Sequence, residues 1–374
     1  MTTRDTVAGM IAAVGMSLLI WLGSNQLYNF DSALVGYAVA IVALTFAIVA
    51  RYSRWLALPA TRRYWRRGWQ LFASWRNFRR LPSLLPRAVG GQLLGQGFIR
   101  RRGLLRWIGH QCLFWGVMGA TAITFPLVFG WLVFQLEPGT EQTYRMFVFG
   151  YPTFTFDSGS FLGWSLFHSL NYTAVLVIIG CAIFLWRRLR DRRVIVNQRL
   201  GYDMLPLLML LVISVTGMLL TISAMFFAGA YYDFLVVLHM ASVVLALVFI
   251  PFGKFFHVVQ RPASVGIQMY TEINGATDPV PCTRCGAPLA SPMLLSDLQA
   301  TLDELGQDYR LAAPAGVAGA VSAAGAAGAG SAAGAAVDHP AGRAPAAAAH
   351  LVELCPRCKR VVRGQAYFDA NGPG

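Results

Sequence analysis

The chain has 374 residues, 56% of them hydrophobic and 13% charged, with a mean hydropathy of +0.52. That balance excludes a disordered chain and most soluble classes and points to a polytopic membrane protein. The net charge of +14 would suggest nucleic acid in a soluble protein, but here the arginines crowd into a few loops beside apolar runs, a mark of membrane topology with no nucleic-acid partner.

Six apolar segments are long enough, or nearly so, to span a bilayer. They lie near Val7–Leu22, Ala33–Ala50, Trp107–Phe134, Ser160–Trp186, Met204–Phe227 and Phe234–His257. The first lacks a small-residue processing site, so no cleavable signal peptide is expected. The predicted fold is an all-α polytopic helical bundle with a small C-terminal zinc-ribbon-like domain. Residues 1–50 hold two N-terminal spans, 51–106 a basic loop, 107–261 a four-helix domain and 262–374 a soluble tail. The loop from Arg51 to Arg106 is dense in arginine, as is RRLRDRR after the fourth segment. Residues 23–32 and 228–233 carry no Lys or Arg, and 135–159 carries only Arg145. Alternation of basic and nearly neutral loops predicts both termini in the cytoplasm.

Within the basic loop, RRYWRRGWQLFASWRNFRR places Trp65, Trp69 and Phe72 at i, i+4 and i+7. The pattern predicts an interfacial helix lying on anionic headgroups, with partner docking as the second reading.

Four of the six histidines lie in or at the ends of predicted spans: His110, His168, His239 and His257. Ionisable groups inside a membrane are costly, so each needs a reason. His239 and His257 are eighteen residues apart in one apolar run. That is five helical turns, which predicts two imidazoles on one face about 27 Å apart along a single helix. Topology puts His110 and His257 near the inner face, and His168 and His239 at comparable depths from the outer one. Two stacked bis-imidazole pairs are what two b-type haems need, each iron taking a nitrogen from either side while the other ring nitrogen is held by a carbonyl or hydroxyl. Arg106, four before His110, and Lys254, three before His257, could pair with propionates of the inner haem or simply snorkel. Gly116, Gly119 and Gly217 permit close approach of either a porphyrin or a helix. The rivals for these histidines are a zinc site, which needs ligands clustered on one ion, and a proton relay, which more usually uses membrane carboxylates.

Cys112 and Cys181 stand alone in apolar segments, where a small buried thiol is the default. Cys282-Thr-Arg-Cys285 and Cys355-Pro-Arg-Cys358 form two knuckle-like pairs. Four thiolates so spaced favour zinc in a ribbon, with iron as the alternative. A helix is predicted over SDLQATLDEL, and residues 312–349 are a low-complexity Ala/Gly insert.

The run LLGQGFIRRRGLLRWIGHQCLFWGVMG resembles the opening of the haem-b membrane domains of heterodisulfide-reductase-type oxidoreductases. PFGKFFHVVQRPASVG is similar to the terminal histidine motif shared with the gamma subunit of respiratory nitrate reductase. The resemblance covers about Leu93–Ile267. It implies His110, His239 and His257 as ligands of two haems, with His168 completing the set from a second helix. It also implies a quinone-reactive electron-transfer subunit in a bacterial inner membrane. Such a subunit meets menaquinone or ubiquinone on one side and a separate iron–sulfur or flavin subunit on the cytoplasmic side. Asp233, Tyr231, Tyr232 and Tyr172 are candidates to handle quinone protons, or are interface anchors. Rival functions are a secondary transporter, for which no inverted repeat is evident, and a haem-free anchor that recruits a partner through the ribbon.

Overall fold

The computed structural model describes residues 2–190, 199–307, 309 and 350–371. The Ala/Gly insert over 312–349 and the end of the RRLRDRR loop lie outside the described residues. In chain order the main helices are α1 (Thr3–Gly23), α2 (Val35–Ala57), α3 (Pro59–Ala73), α4 (Leu104–Val128), α5 (Phe161–Phe167), α6 (Ser169–Arg190), α7 (Leu205–Phe226) and α8 (Tyr232–Phe249). They continue as α9 (Phe256–Gln260), α10 (Ala263–Gly275), α11 (Pro292–Glu304) and α12 (Pro356–Asn371). The strands are β1 (Leu132–Leu136), β2 (Thr143–Val148), β3 (Tyr151–Asp157), β4 (Val280–Pro281) and β5 (Pro288–Ala290). Among the described residues, six helices are long and apolar enough to cross a membrane: α1, α2, α4, α6, α7 and α8.

The chain divides into two units, Met1–Ala57 with Phe78–Val265, and Leu58–Asn77 with Gly266–Gly374. In the first, α1 packs on α2, α2 on α8, α8 on α7, α7 on α6 and α6 on α4. The last pair is held by small residues. A Cβ on Gly116 would stand 2.7 Å from Val177 Cγ2 and 2.9 Å from the Thr173 carbonyl, and one on Gly180 would stand 2.8 Å from the Gly109 carbonyl. In lipid, where apolar side chains gain nothing by leaving solvent, such backbone approach is the main source of helix association. Gly116 and Gly119 thus serve helix packing, the second against Thr173. A separate cluster of Ile20, Ala40, Ile41, Leu44, Val128, Phe129 and Leu247 joins α1, α2, the end of α4 and α8.

The all-α expectation fails between Leu132 and Asp157, where a three-stranded antiparallel meander replaces the end of the third predicted span and its loop. The helix stops because Gly130 adopts φ +68°. Its N–H bonds to the Leu127 carbonyl at 3.1 Å and that of Trp131 to the Pro126 carbonyl at 2.9 Å, a Schellman closure. Phe149 and Gly150 then take φ +51° and +80°, the conformation of a two-residue hairpin turn. Arg145, the lone cation of this loop, pairs with Glu137. This end of the bundle therefore gains no net charge from it.

The single helix expected from Asp233 to Pro262 is also corrected. α8 ends at Phe249 and the chain turns before the five-residue α9 carrying His257. Pro251 has no N–H to return to the preceding turn and disfavours helical backbone before it. Gly253 lets the Phe249 ring fold over the bend, since a Cβ there would lie 2.5 Å from it. Arg51 of α2 donates to the freed Pro251 carbonyl and lies 4.3 Å over the Phe256 ring. His239 and His257 consequently do not share one helical face.

In the second unit, α3 packs on α11. The Arg67 guanidinium forks onto Asp297 at 3.0–3.2 Å, Tyr270 on α10 donates to the same carboxylate at 3.0 Å, and Glu304 meets Arg62 and Arg63. Part of the arginine stripe read as facing headgroups is therefore used inside the protein. The aromatic stripe is as the spacing predicted. Trp65, Trp69 and Phe72 stack edge to face at 5.8–5.9 Å, and Trp69 and Phe72 are exposed.

Gly180→Val should destabilise the purified protein by about 1–3 kcal/mol through overpacking against α4. Gly15→Ala, which meets nothing within 4 Å, should stay within about 1 kcal/mol of the parent. Thermal unfolding in detergent measures both.

Candidate functional site

A neutral imidazole has one N–H donor and one bare nitrogen, and the partner of one nitrogen decides which is which. His168 Nδ1 lies 2.8 Å from the Trp164 carbonyl and His257 Nδ1 lies 2.6 Å from the Lys254 carbonyl. A carbonyl can only accept, so both Nδ1 atoms carry the proton. His239 Nδ1 lies 2.9 Å from Thr216 Oγ1. That hydroxyl is itself 2.8 Å from the Val212 carbonyl and 3.1 Å from that of Ile213, so that a proton given to either leaves its oxygen to accept from His239. Three of the four imidazoles thus have Nδ1 held by a carbonyl or hydroxyl of the protein, the pattern of a metal-ligating histidine whose far nitrogen is anchored. His110 differs: its Nδ1 is buried and has no hydrogen-bond partner among the described residues, a state that costs about 1–3 kcal/mol unless something not belonging to the chain satisfies it.

The fold brings His110 and His257 into one electrostatic neighbourhood, with Arg261 as a third member. The segment before α4 is tied down onto its first turns, where Trp107 Nε1 donates to the Gly95 carbonyl at 2.7 Å and Gln111 to the Leu94 carbonyl at 3.0 Å. Arg261 caps it, its guanidinium 4.1 Å over the Phe98 ring. Lys254 is committed elsewhere: it pairs with Asp203 and lies 4.9 Å from the Tyr202 ring. Arg106 is exposed. Arg261 was not singled out in the sequence, where its position four after His257 in the α9 run was the available sign.

The second pair is less symmetrical than the sequence suggested. The fourth span begins at Ser169, so His168 stands at the junction of α5 and α6 instead of a third of the way in. Its ring stacks on Trp164 at 4.4 Å. The preceding Phe167 is gripped by Phe134, Tyr144 and Phe156 at 5.2–5.7 Å. The meander thus holds this histidine. His239 lies seven residues into α8, about 10 Å along it, and α7 packs between α8 and α6. No described contact joins the two rings. Gly217 makes room for His239, since a Cβ there would lie 3.3 Å from its Cε1. Tyr172 meets Trp164 edge-on at 6.1 Å, and Tyr231 and Asp233 are exposed at the start of α8.

In the second unit, the four predicted cysteines come together. The sulfurs of Cys282, Cys285, Cys355 and Cys358 all lie within 4.8 Å of one another, and Cys285 and Cys355 are 3.6 Å apart. Four thiolates at ~2.3 Å from a central metal would be about 3.8 Å apart, so the cluster could hold one ion. The first knuckle closes through Cys282 N–H to the Ala287 carbonyl at 2.7 Å and Gly286 N–H to the Cys282 carbonyl at 2.9 Å, with Gly286 at φ +72°. Backbone N–H groups point at sulfur: Cys355 to Cys282 at 3.3 Å and Cys358 to Cys355 at 3.4 Å. Burial opposes ionisation of Cys282, but N–H groups of Cys355, Cys285 and Arg284 outweigh it and bring the thiol down to about 6. Burial and the neighbouring sulfurs push Cys358 up to about 12. A divalent cation placed among the sulfurs would relieve that mutual repulsion and take all four as thiolates. The knuckles are joined by Thr283 N–H to the Glu353 carbonyl at 3.2 Å, and Glu353 is held to α11 by Gln299 at 2.8 Å.

No protein-family model matches the chain, and neither does any curated protein or any solved structure.

Cys355→Ser should reduce the metal content of the purified chain from stoichiometric to near zero, measured by plasma emission spectrometry, while Cys112→Ser leaves it unchanged. Full metal retention in Cys355→Ser would show that the cluster is not the binding site.

Proposed function

We propose that this chain is a membrane cytochrome b: an electron-transfer subunit that passes electrons between a cytoplasm-facing iron–sulfur or flavin protein and a membrane quinone. The observation that carries the reading is the anchoring of Nδ1 on His168, His239 and His257 by a carbonyl or hydroxyl of the protein, which leaves Nε2 as the nitrogen available to a metal. Proton relays use rings free to exchange tautomers, whereas iron ligation uses rings locked in one. His110, with a buried nitrogen lacking a protein partner, supplies the fourth ligand. His110 and His257 serve an inner b haem, and His168 and His239 an outer one. Once bound, two such groups offer one-electron stations that divide the ~30 Å hydrocarbon layer into shorter steps.

The chain's own residues do the rest. Arg261 supplies positive charge beside the inner pair and suits a haem propionate better than Lys254, whose ammonium is neutralised by Asp203. Tyr172, Tyr231, Tyr232 and Asp233 lie at the end where a quinone accepts or gives protons as it takes up or yields two electrons. The protein sits in a bacterial inner membrane with its basic loops and both termini in the cytoplasm. The four-cysteine ribbon holds zinc and docks the catalytic partner, and the Trp65, Trp69 and Phe72 stripe rests on lipid.

The test is a visible spectrum of purified chain. Dithionite should produce paired α and β bands, and pyridine extraction should identify haem b. His257→Ala should lose one spectral component and His239→Ala the other. A chain purified from haem-replete cells that shows a flat spectrum would overturn the cytochrome and favour a haem-free anchor or a transporter.

A further inference from the structure

The fifth span, α7, carries the Thr216-Gly217 pair in a run whose other hydroxyl residues are Ser214, Thr221 and Ser223. Thr216 Oγ1 stands 2.8 Å from the Val212 carbonyl, 3.1 Å from that of Ile213 and 2.9 Å from His239 Nδ1. A serine or threonine inside a helix often bonds back to the carbonyl four residues earlier. Here the back-bond has a second consequence. With its proton directed to the Val212 carbonyl, the hydroxyl presents only lone pairs to His239. The Ile213 carbonyl also accepts from the His239 ring, which disfavours the alternative of Thr216 donating to a bare Nδ1. Gly217 completes the arrangement by keeping the space beside Cε1 open, where any side chain would begin 3.3 Å from the ring.

We infer that Thr216 is a positioning residue for His239: it selects the Nδ1–H tautomer, orients the ring over Gly217 and leaves Nε2 bare as a metal ligand. The inference rests on the proposed cytochrome reading for its haem consequence, but its tautomer consequence holds in haem-free protein. Hydrogen bonding at Nδ1 makes the imidazole a stronger donor at Nε2, and a stronger donor favours the oxidised metal. Removing the acceptor should therefore raise the midpoint potential of the haem that His239 serves and loosen its hold. Thr216→Val keeps the shape and removes the acceptor. Thr216→Ser keeps the acceptor and loses a methyl group.

The experiment uses the full chain in detergent, with two readouts. In haem-free protein labelled with 15N-histidine, His239 should show the Nδ1–H tautomer in wild type and Thr216→Ser, and a shift towards Nε2–H in Thr216→Val. In haem-loaded protein, Thr216→Val should raise the potential of the component lost in His239→Ala and weaken its haem retention by roughly 10–100-fold, with Thr216→Ser near wild type. Unchanged tautomer and potential in Thr216→Val overturn the inference, as does Thr216→Ser behaving like Thr216→Val, which would make the role one of packing. Absence of haem from the wild type, with the tautomer shift intact, overturns the cytochrome reading and leaves Thr216 as the group that sets the ring of His239.

Discussion

A backbone carbonyl accepts a hydrogen bond and never gives one, and much of the chemistry of this protein follows from that asymmetry. Trp164, Lys254 and, through the Thr216 hydroxyl, Val212 each present a carbonyl to the Nδ1 side of an imidazole. In water a histidine exchanges tautomers freely. Inside a bundle it takes the form its neighbour dictates, because an unpaired polar atom there is costly. Two of those carbonyls belong to the residue three or four positions earlier in the chain, so helix geometry alone supplies the partner. The third needs a neighbouring span, and only there does a side-chain hydroxyl enter.

The frame that holds these rings is built from close backbone approach at one side and a broken helix at the other. Gly109, Gly116 and Gly180 let α4 and α6 come together until carbonyls stand where side chains would be. Pro251 ends α8 early, and Arg51 takes up the carbonyl that the break exposes. The break separates His257 from the helix of His239 and lets it join His110 and Arg261. Had the helix run on to Pro262, both rings would have pointed the same way along one stripe. The meander from Leu132 to Asp157 has a matching effect at the opposite end, since its aromatic cluster fixes Phe167 and hence the residue after it.

The second unit adds charge and sulfur to apolar burial. Asp297, almost fully buried, accepts from both Arg67 and Tyr270. Without these donors its charge would be prohibitively costly in that position. The thiol cluster has the inverse problem: four sulfurs this close cannot all ionise unless a cation joins them. Both arrangements bear on α11, one through Asp297 and the other through the Gln299–Glu353 bond.

The positions of six apolar helices, the basic and neutral loops, the aromatic stripe of α3 and the convergence of four cysteines were all legible in the sequence. Each depends on local periodicity, composition or short spacing, which a chain carries residue by residue. Tertiary structure decided what depends on partners distant in the chain. Pro251 in the sequence is compatible with a kink or with a full break, and Arg51, two hundred residues away, completes the break. The β-meander lies across the end of an apolar run and the nearly neutral loop after it, and at that end short strands and buried helix ends share the same composition. Thr216 was not singled out in the sequence, because its partner His239 lies on a different span, α8. Hydrogen-bond direction is a property of a pair, and only folding chooses the pair.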